Sequence, residues 1–198
     1  MNRPDTLNIV IIGVGGQGTL LASKIIGDFA QQQGYDVKVS EVHGMSQRGG
    51  SVITYVRIGT SVHAPLVEQK GADYILAFEK LEALRALPYL KDEGLMILNT
   101  QQILPLPVII GAAQYPNDIV GTIRETGVKV VDVDALQLAE QSGNQRTINS
   151  VLIGILASRL PFEKETWVNT IHRVVPERHL QVNLDAFALG YQQGIEKQ

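Results

Sequence analysis

The residues best suited to chemistry fall in two short glycine-rich stretches. The first is Gly13-Val14-Gly15-Gly16-Gln17-Gly18, a Gly-x-Gly-x-x-Gly spacing preceded by the apolar run Leu7–Ile12 and followed by a helical pattern from Thr19. In that context glycines let the backbone turn tightly and approach a phosphate, whose charge meets free N–H groups at the helix start. Gly13, Gly15, Gly16, Gln17 and Gly18 are therefore the candidate cofactor-binding residues. A tight strand-to-helix turn without a ligand would use the same glycines. The spacing alone also does not separate a nicotinamide dinucleotide from coenzyme A.

The second stretch is His43-Gly44-Met45-Ser46-Gln47-Arg48-Gly49-Gly50. His43 can donate, accept or carry a proton near neutral pH. Arg48 offers a planar fork for carboxylate or phosphate. Ser46 and Gln47 add neutral hydrogen-bonding groups, and Gly49 permits close backbone approach. His43 and Arg48 are the candidate catalytic residues; Ser46, Gln47 and Gly49 join the cofactor-binding set. Glu41 stands 23 residues after Gly18, where an acidic side chain binds ribose hydroxyls in dinucleotide folds. A solvated strand-end carboxylate, or an ion pair with Arg48, accounts for it equally well.

The elements that must hold these residues follow from periodicity. Leu7–Ile12 reads as a strand buried on both faces. Thr19–Gln33 reads as a helix with Leu20, Leu21, Ile25, Ile26 and Phe29 on one side, stopped by Gly34. Asp36–Val42 completes a Rossmann-like βαβ opening. Ser51–Ile58 alternates as a strand, free to run antiparallel. Strands are further expected at Asp73–Phe78, Gly94–Asn99 and Lys129–Val133, with Val108–Ile110 confined by Pro105 and Pro107 to an edge or bulge. Helices are expected at about Glu79–Leu90, from Asp134, over Ile148–Leu160 with Thr147 as its cap, and over Trp167–Val174. Trp167 and Met96 read as core. Alternating elements imply an α/β three-layer sandwich with a mostly parallel sheet, built as one domain over residues 1–198.

Composition narrows the function classes. Of 198 residues 44% are hydrophobic and 19% charged, which suits a globular domain. The net charge of −3 with scattered Lys and Arg gives no footprint for nucleic acid or an anionic membrane. No apolar run reaches the roughly 18 residues of a membrane span, and Met1–Thr6 lacks a signal-like core, so a cytoplasmic location is expected. The chain has no cysteine, hence no disulfide, thiolate nucleophile or thiolate ligand for an iron–sulfur cluster. His63, His172 and His179 are isolated, so no metal site is expected. No Gly-x-Ser-x-Gly elbow points to a hydrolase. Asn149 could face a ligand crevice or simply open the helix in which it lies.

The two glycine-rich stretches, with Glu41-Val42 and Ser51-Val52 flanking the second, are joined by Gly71-Ala72-Asp73 and Glu79-Lys80-Leu81-Glu82-Ala83-Leu84-Arg85. Asn149-Ser150-Val151-Leu152-Ile153-Gly154 and Asn183-Leu184-Asp185-Ala186-Phe187-Ala188-Leu189-Gly190 follow. Taken in this order the chain resembles the γ-type subunit or domain of 2-oxoacid:ferredoxin oxidoreductases, closest to the β subunit of the indolepyruvate branch. The resemblance spans nearly the whole chain; its most specific part is His43–Gly50, its least specific the glycine loop. It implies a subunit that is inactive alone and belongs to a hetero-oligomer decarboxylating a 2-oxoacid, with ferredoxin as electron acceptor through the complex. It further implies coenzyme A as cosubstrate on the Gly13–Gly18 loop. Thiamine diphosphate, magnesium and [4Fe-4S] clusters are implied in a larger partner subunit, with none held by this chain. His43–Gly50 would line the mouth towards the thiamine, with Arg48 as anion clamp. The Leu104–Pro107 segment has no assignment. Two other readings of the same residues are a free-standing NAD(P)-dependent dehydrogenase, which the lack of a Tyr-x-x-x-Lys pair disfavours, and a non-catalytic nucleotide-binding module.

Overall fold

A computed structural model describes residues 6–44 and 50–197. Six strands form one sheet: β1 (Thr6–Val14), β2 (Asp36–His43), β3 (Ser51–Gly59), β4 (Ala72–Ala77), β5 (Leu90–Asn99) and β6 (Lys129–Val133). Their spatial order is β2-β3-β1-β4-β5-β6. The pairings β1–β4, β4–β5 and β5–β6 are parallel, whereas β3 runs antiparallel to both of its neighbours, β1 and β2. The three-layer, mostly parallel α/β class expected from the alternation is present.

The opening unit differs from a simple βαβ. β2 does not pair with β1, because β3 turns back after the second glycine stretch and inserts between them, with nine residue pairs along β1. Alternation along the chain specifies which segments extend, not which neighbour each will choose.

The strand faces separate the core into two parts. On one face Ile9, Ile11, Val56, Ile58, Leu76 and Ile97 pack against α1 (Thr19–Gln32), α5 (Ala135–Gln141), α6 (Ile148–Arg159), α7 (Lys164–Val174) and α8 (Glu177–Glu196). On the other, Val10, Ile12, Ile75, Met96 and Leu98 pack against α2 (Lys80–Ala86) and α4 (Ile119–Glu125). This alternation is what a strand covered by helices on both sides requires. Trp167 is fully buried and stacked on Phe29 with ring centroids 3.6 Å apart.

Three local expectations are corrected. Val108–Ile110 is not a strand: α3 (Leu106–Ile109) is a single helical turn, with Pro107 in its first turn, where a fixed φ and a missing N–H are harmless. The helix after Glu79 ends at Ala86 because Pro88 has no N–H to continue the α-helical ladder; Leu87 keeps helical dihedrals, and a 3₁₀ turn, Leu87–Tyr89, leads into β5. Thr147 precedes α6 but does not cap it. A 3₁₀ turn over Gln145–Thr147 runs directly into the helix, and the Thr147 hydroxyl donates back to the Asn144 carbonyl at 2.7 Å. α4 escaped the sequence reading, being seven residues long; Asp118 caps it by accepting from Gly121 N–H.

Candidate functional site

α1 lies on one sheet face and α2 on the other, so the two connections diverge from β1 and β4. A crevice beyond the carboxyl ends of strands at such a divergence is where open α/β sheets bind ligands. The glycine loop sits there. Gly16 and Gly18 have φ of +99° and +87°, values that exclude most side chains, and a Cβ on Gly16 would meet nothing within 4 Å. Gly18 precedes α1 with no side-chain cap.

The loop's backbone donors divide into two sets. Gly15 N–H donates to the Gly50 carbonyl at 3.0 Å and Gln17 N–H to the Val14 carbonyl at 3.2 Å. Among the described residues, the N–H groups of Gly16, Gly18, Thr19, Leu20 and Leu21 have no acceptor. They lie at or just before the positive end of a 14-residue helix. These residues fit a phosphate group.

Gln17 works differently from its neighbours. Its Oε1 accepts from Val14 N–H at 2.8 Å, and its Nε2 donates to the Phe78 carbonyl at 2.9 Å and to Gln101 Oε1 at 3.1 Å. The side chain therefore ties the glycine loop to the ends of β4 and β5, and only its backbone faces outward. Gly13 is needed for packing, since a Cβ there would lie 2.9 Å from Phe78 Cβ and from Gln17 Oε1.

The two glycine stretches are joined. Besides the Gly15–Gly50 bond, Gly44 N–H donates to the Ser51 carbonyl at 3.1 Å and closes the neck of the second stretch. His43 pairs with Val52, and Val52 with Gly13, so His43 stands level with the glycine loop two strands away, about 10 Å across the sheet. Its Nε2 lies 2.6 Å from Glu41 Oε1, and Glu41 Oε2 accepts from the Thr54 hydroxyl at 3.2 Å. His43 remains exposed. Ser46, Gln47, Arg48 and Gly49 lie outside the described residues.

Beneath both stretches are carboxylates, Glu79 and Glu82, to which the sequence reading assigned no role in the site. Glu79, almost fully buried, caps α2 by accepting from Glu82 N–H at 3.0 Å; it also accepts from Ile103 N–H at 3.0 Å and the Tyr115 hydroxyl at 2.5 Å. Burial, reinforced by this acceptor, pushes the Tyr115 pKa well above the usual phenol range. Glu82 accepts from the Ser51 hydroxyl at 2.5 Å and pairs with Arg85 at 2.5 Å. It thereby fixes the residue directly after the second stretch. Asn99 donates to the Phe78 carbonyl and accepts from Ala135 N–H. Apart from the local Glu79–Glu82 and Glu82–Arg85 contacts, these partners are 20 to 40 residues apart in sequence, so no local pattern announces them.

Asn149 presents a different case. It is 1% exposed, and neither its Nδ2 nor its Oδ1 has a partner among the described residues. Its side chain lies beside Gly18, where a Cβ would fall 3.4 Å from Asn149 Cγ and 3.7 Å from Nδ2. Among the described residues no group of three or more His, Cys, Asp or Glu is arranged to hold a metal ion, and no helix is long and apolar enough to cross a membrane.

Comparison with known proteins places the whole arrangement. The pattern of the pyruvate ferredoxin/flavodoxin oxidoreductase family matches residues 8–193. The indolepyruvate oxidoreductase subunit IorB of Archaeoglobus fulgidus is 42% identical over 193 residues, covering 96% of each chain. The protein of the same name from Thermococcus kodakarensis is 46% identical over 188 residues, covering 92% of this chain and 93% of its own. Among solved structures, a 2-oxoglutarate:ferredoxin oxidoreductase from Magnetococcus marinus, with 2-oxoglutarate, coenzyme A and succinyl-CoA bound, aligns with a TM-score of 0.75 at 18% identity. The match covers 98% of this chain and 32% of that one, and at this identity it speaks for the fold alone.

Proposed function

Since the chain belongs to the pyruvate ferredoxin/flavodoxin oxidoreductase family, we propose that it is the small subunit of a hetero-oligomeric 2-oxoacid:ferredoxin oxidoreductase of the indolepyruvate type. In this reading it forms, over its whole length, one γ-type domain that walls one side of a shared active-site crevice. The aryl-pyruvate substrate rests on the 42–46% identity to the two IorB subunits. A larger partner subunit holds thiamine diphosphate, magnesium and [4Fe-4S] clusters, supplying decarboxylation and single-electron transfer to ferredoxin. This chain offers no thiolate to a cluster.

Coenzyme A is the ligand assigned to the glycine loop, and its thiol would carry the acyl group away. The observation that supports this is the uncapped start of α1, where the N–H groups of Gly16, Gly18, Thr19, Leu20 and Leu21 face one region without protein acceptors among the described residues. Such a cluster of donors at a helix start orients a phosphate without a lysine or arginine. His43, held by Glu41, is the group available to hold or move a proton at the rim. Arg48 is assigned to clamp an anionic group there.

The dinucleotide alternative meets a topological obstacle. In a Rossmann fold the acidic residue ending the second strand reaches the ribose because that strand adjoins the first. Here β3 displaces β2 by one further strand, about 4.8 Å, and Glu41 is engaged by His43 and Thr54.

Co-expression with the neighbouring large subunit tests the proposal. The complex is expected to reduce ferredoxin in the presence of indolepyruvate and coenzyme A, and the isolated chain to be inactive. In the complex, Gly16→Ala, which strains the loop at its φ of +99° and adds a methyl group on its open side, is expected to raise the KM for coenzyme A about ten-fold with a smaller effect on the KM for the oxoacid. Failure to co-purify with a thiamine- and iron-containing partner would overturn the assignment.

A further inference from the structure

The start of α1 has, on its inner side, a second hydrogen-bonding group that the glycine pattern does not include. Asn149, in the first turn of α6, is 1% exposed, yet both polar atoms of its carboxamide lack partners among the described residues. Buried amides are almost always paired, and an unpaired one is costly enough to call for an explanation. Its neighbours are satisfied: Ser150 donates to Asn183 Oδ1 at 2.7 Å, and Asn183 Nδ2 donates to the His179 carbonyl at 2.7 Å. Packing does not require an amide in this place, since the rest of α6 is almost wholly apolar and buried.

The carboxamide lies against Gly18, with a hypothetical Cβ 3.4 Å from Asn149 Cγ and 3.7 Å from Nδ2. Gly18 in turn begins the set of unpartnered N–H groups at the helix start. An unsatisfied amide and an unsatisfied helix terminus thus adjoin.

We propose that Asn149 is a ligand-binding residue of the phosphate site, donating from its carboxamide to a phosphate oxygen held at the start of α1. The inference rests on the phosphate reading of the glycine loop and deepens it. The second amide atom also defines the ligand class. Oδ1 needs a donor, which a fully ionised phosphate lacks and a hydroxyl or amide N–H beside the phosphate supplies. The site therefore suits a phosphate ester bearing such a donor better than a bare anion. Gly18 is required for its φ of +87°, and a Cβ there would already stand in van der Waals contact with the amide.

The test uses the full 198-residue chain with coenzyme A and inorganic pyrophosphate as probes. Isothermal titration calorimetry is expected to show saturable binding of both, coenzyme A the tighter. Asn149→Asp and Asn149→Leu are each expected to weaken coenzyme A binding about ten-fold or more, as loss of a hydrogen bond to a charged group implies, with Asn149→Leu retaining the thermal midpoint of the parent. In the unsubstituted chain the Asn149 side-chain NH₂ resonance, assigned through its loss in Asn149→Leu or by selective labelling, is expected to shift on saturation with coenzyme A. That measurement decides the matter if the variants do not fold. Unchanged affinity in folded variants, or an NH₂ resonance that stays in place at saturation, overturns the role of Asn149 and leaves the glycine loop's assignment standing. If the unsubstituted chain binds neither probe, the phosphate reading fails and Asn149's role fails with it.

Discussion

Gln17 illustrates how one side chain can make a loop rigid enough to bind. Its amide bridges Val14, Phe78 and Gln101, so the loop is held to two strands rather than hanging from one. Gln17→Ala is expected to destabilise the chain by about 1–3 kcal/mol, because Val14 N–H and the Phe78 carbonyl lose a partner in a partly buried place; chemical denaturation measures it. Tyr115→Phe removes one of the three donors to buried Glu79 and is expected to cost a similar amount, about 1–3 kcal/mol. Asn149→Leu should behave in the opposite way in the absence of ligand. It replaces an unpaired buried amide by an apolar group of similar shape, so the thermal midpoint is expected to hold or rise. Tyr55 gives a titration signature. Burial, with the Tyr89 hydroxyl as a hydrogen-bonding neighbour, pushes its pKa up from 10.0 to about 12. A raised folded pKa means that the stabilising contribution is complete below the unfolded value and disappears as pH rises through the folded one. Stability is therefore expected to fall between about pH 10 and pH 12, with phenolate absorbance from Tyr55 developing late in that range.

At the scale of elements, α6 and α8 approach so closely that glycines become obligatory. A Cβ on Gly190 would lie 2.0 Å from the Val151 carbonyl oxygen, and one on Gly154 2.3 Å from that of Phe187. Backbone cannot yield as a flexible side chain does. Gly190→Ala is expected to lower stability by about 2 kcal/mol or more, a fall of roughly 2–4 °C in thermal midpoint per kcal/mol for a chain of this size. The consequence reaches the site, because α6 carries Asn149 at its first turn and α8 sets where α6 lies. Several elements were readable without the structure. Leu7–Ile12, Asp36–Val42 and Lys129–Val133 fall within the observed strands, and the helix expected at Thr19–Gln33 ends one residue earlier. α3 and α4 were not, since one or two turns contain too little periodicity to be distinguished from loop.

For the molecule as a whole, strand order decides which groups border the crevice. Insertion of β3 between β1 and β2 carries Glu41 away from the glycine loop and brings Gly50 onto it. NADH is accordingly expected to show no saturable binding to the chain under conditions in which coenzyme A does, as monitored by nicotinamide fluorescence. What the sequence alone determined was local: the α/β class, the glycine loop at a strand-to-helix junction, the apolar helix α6, and the buried place of Trp167. Hydrophobic period and turn residues suffice for these, because each depends on neighbours a few positions away. What only the tertiary structure decided was which distant groups meet. The Gly15–Gly50 bond, the binding of Gln17 to Phe78 and Gln101, the Ser51–Glu82 bond and the unpartnered Asn149 beside Gly18 all join residues that no local period relates. Strand pairing and helix packing are selected by the energy of the entire core, and the site is made at the places where those long-range choices bring glycines, amides and carboxylates together.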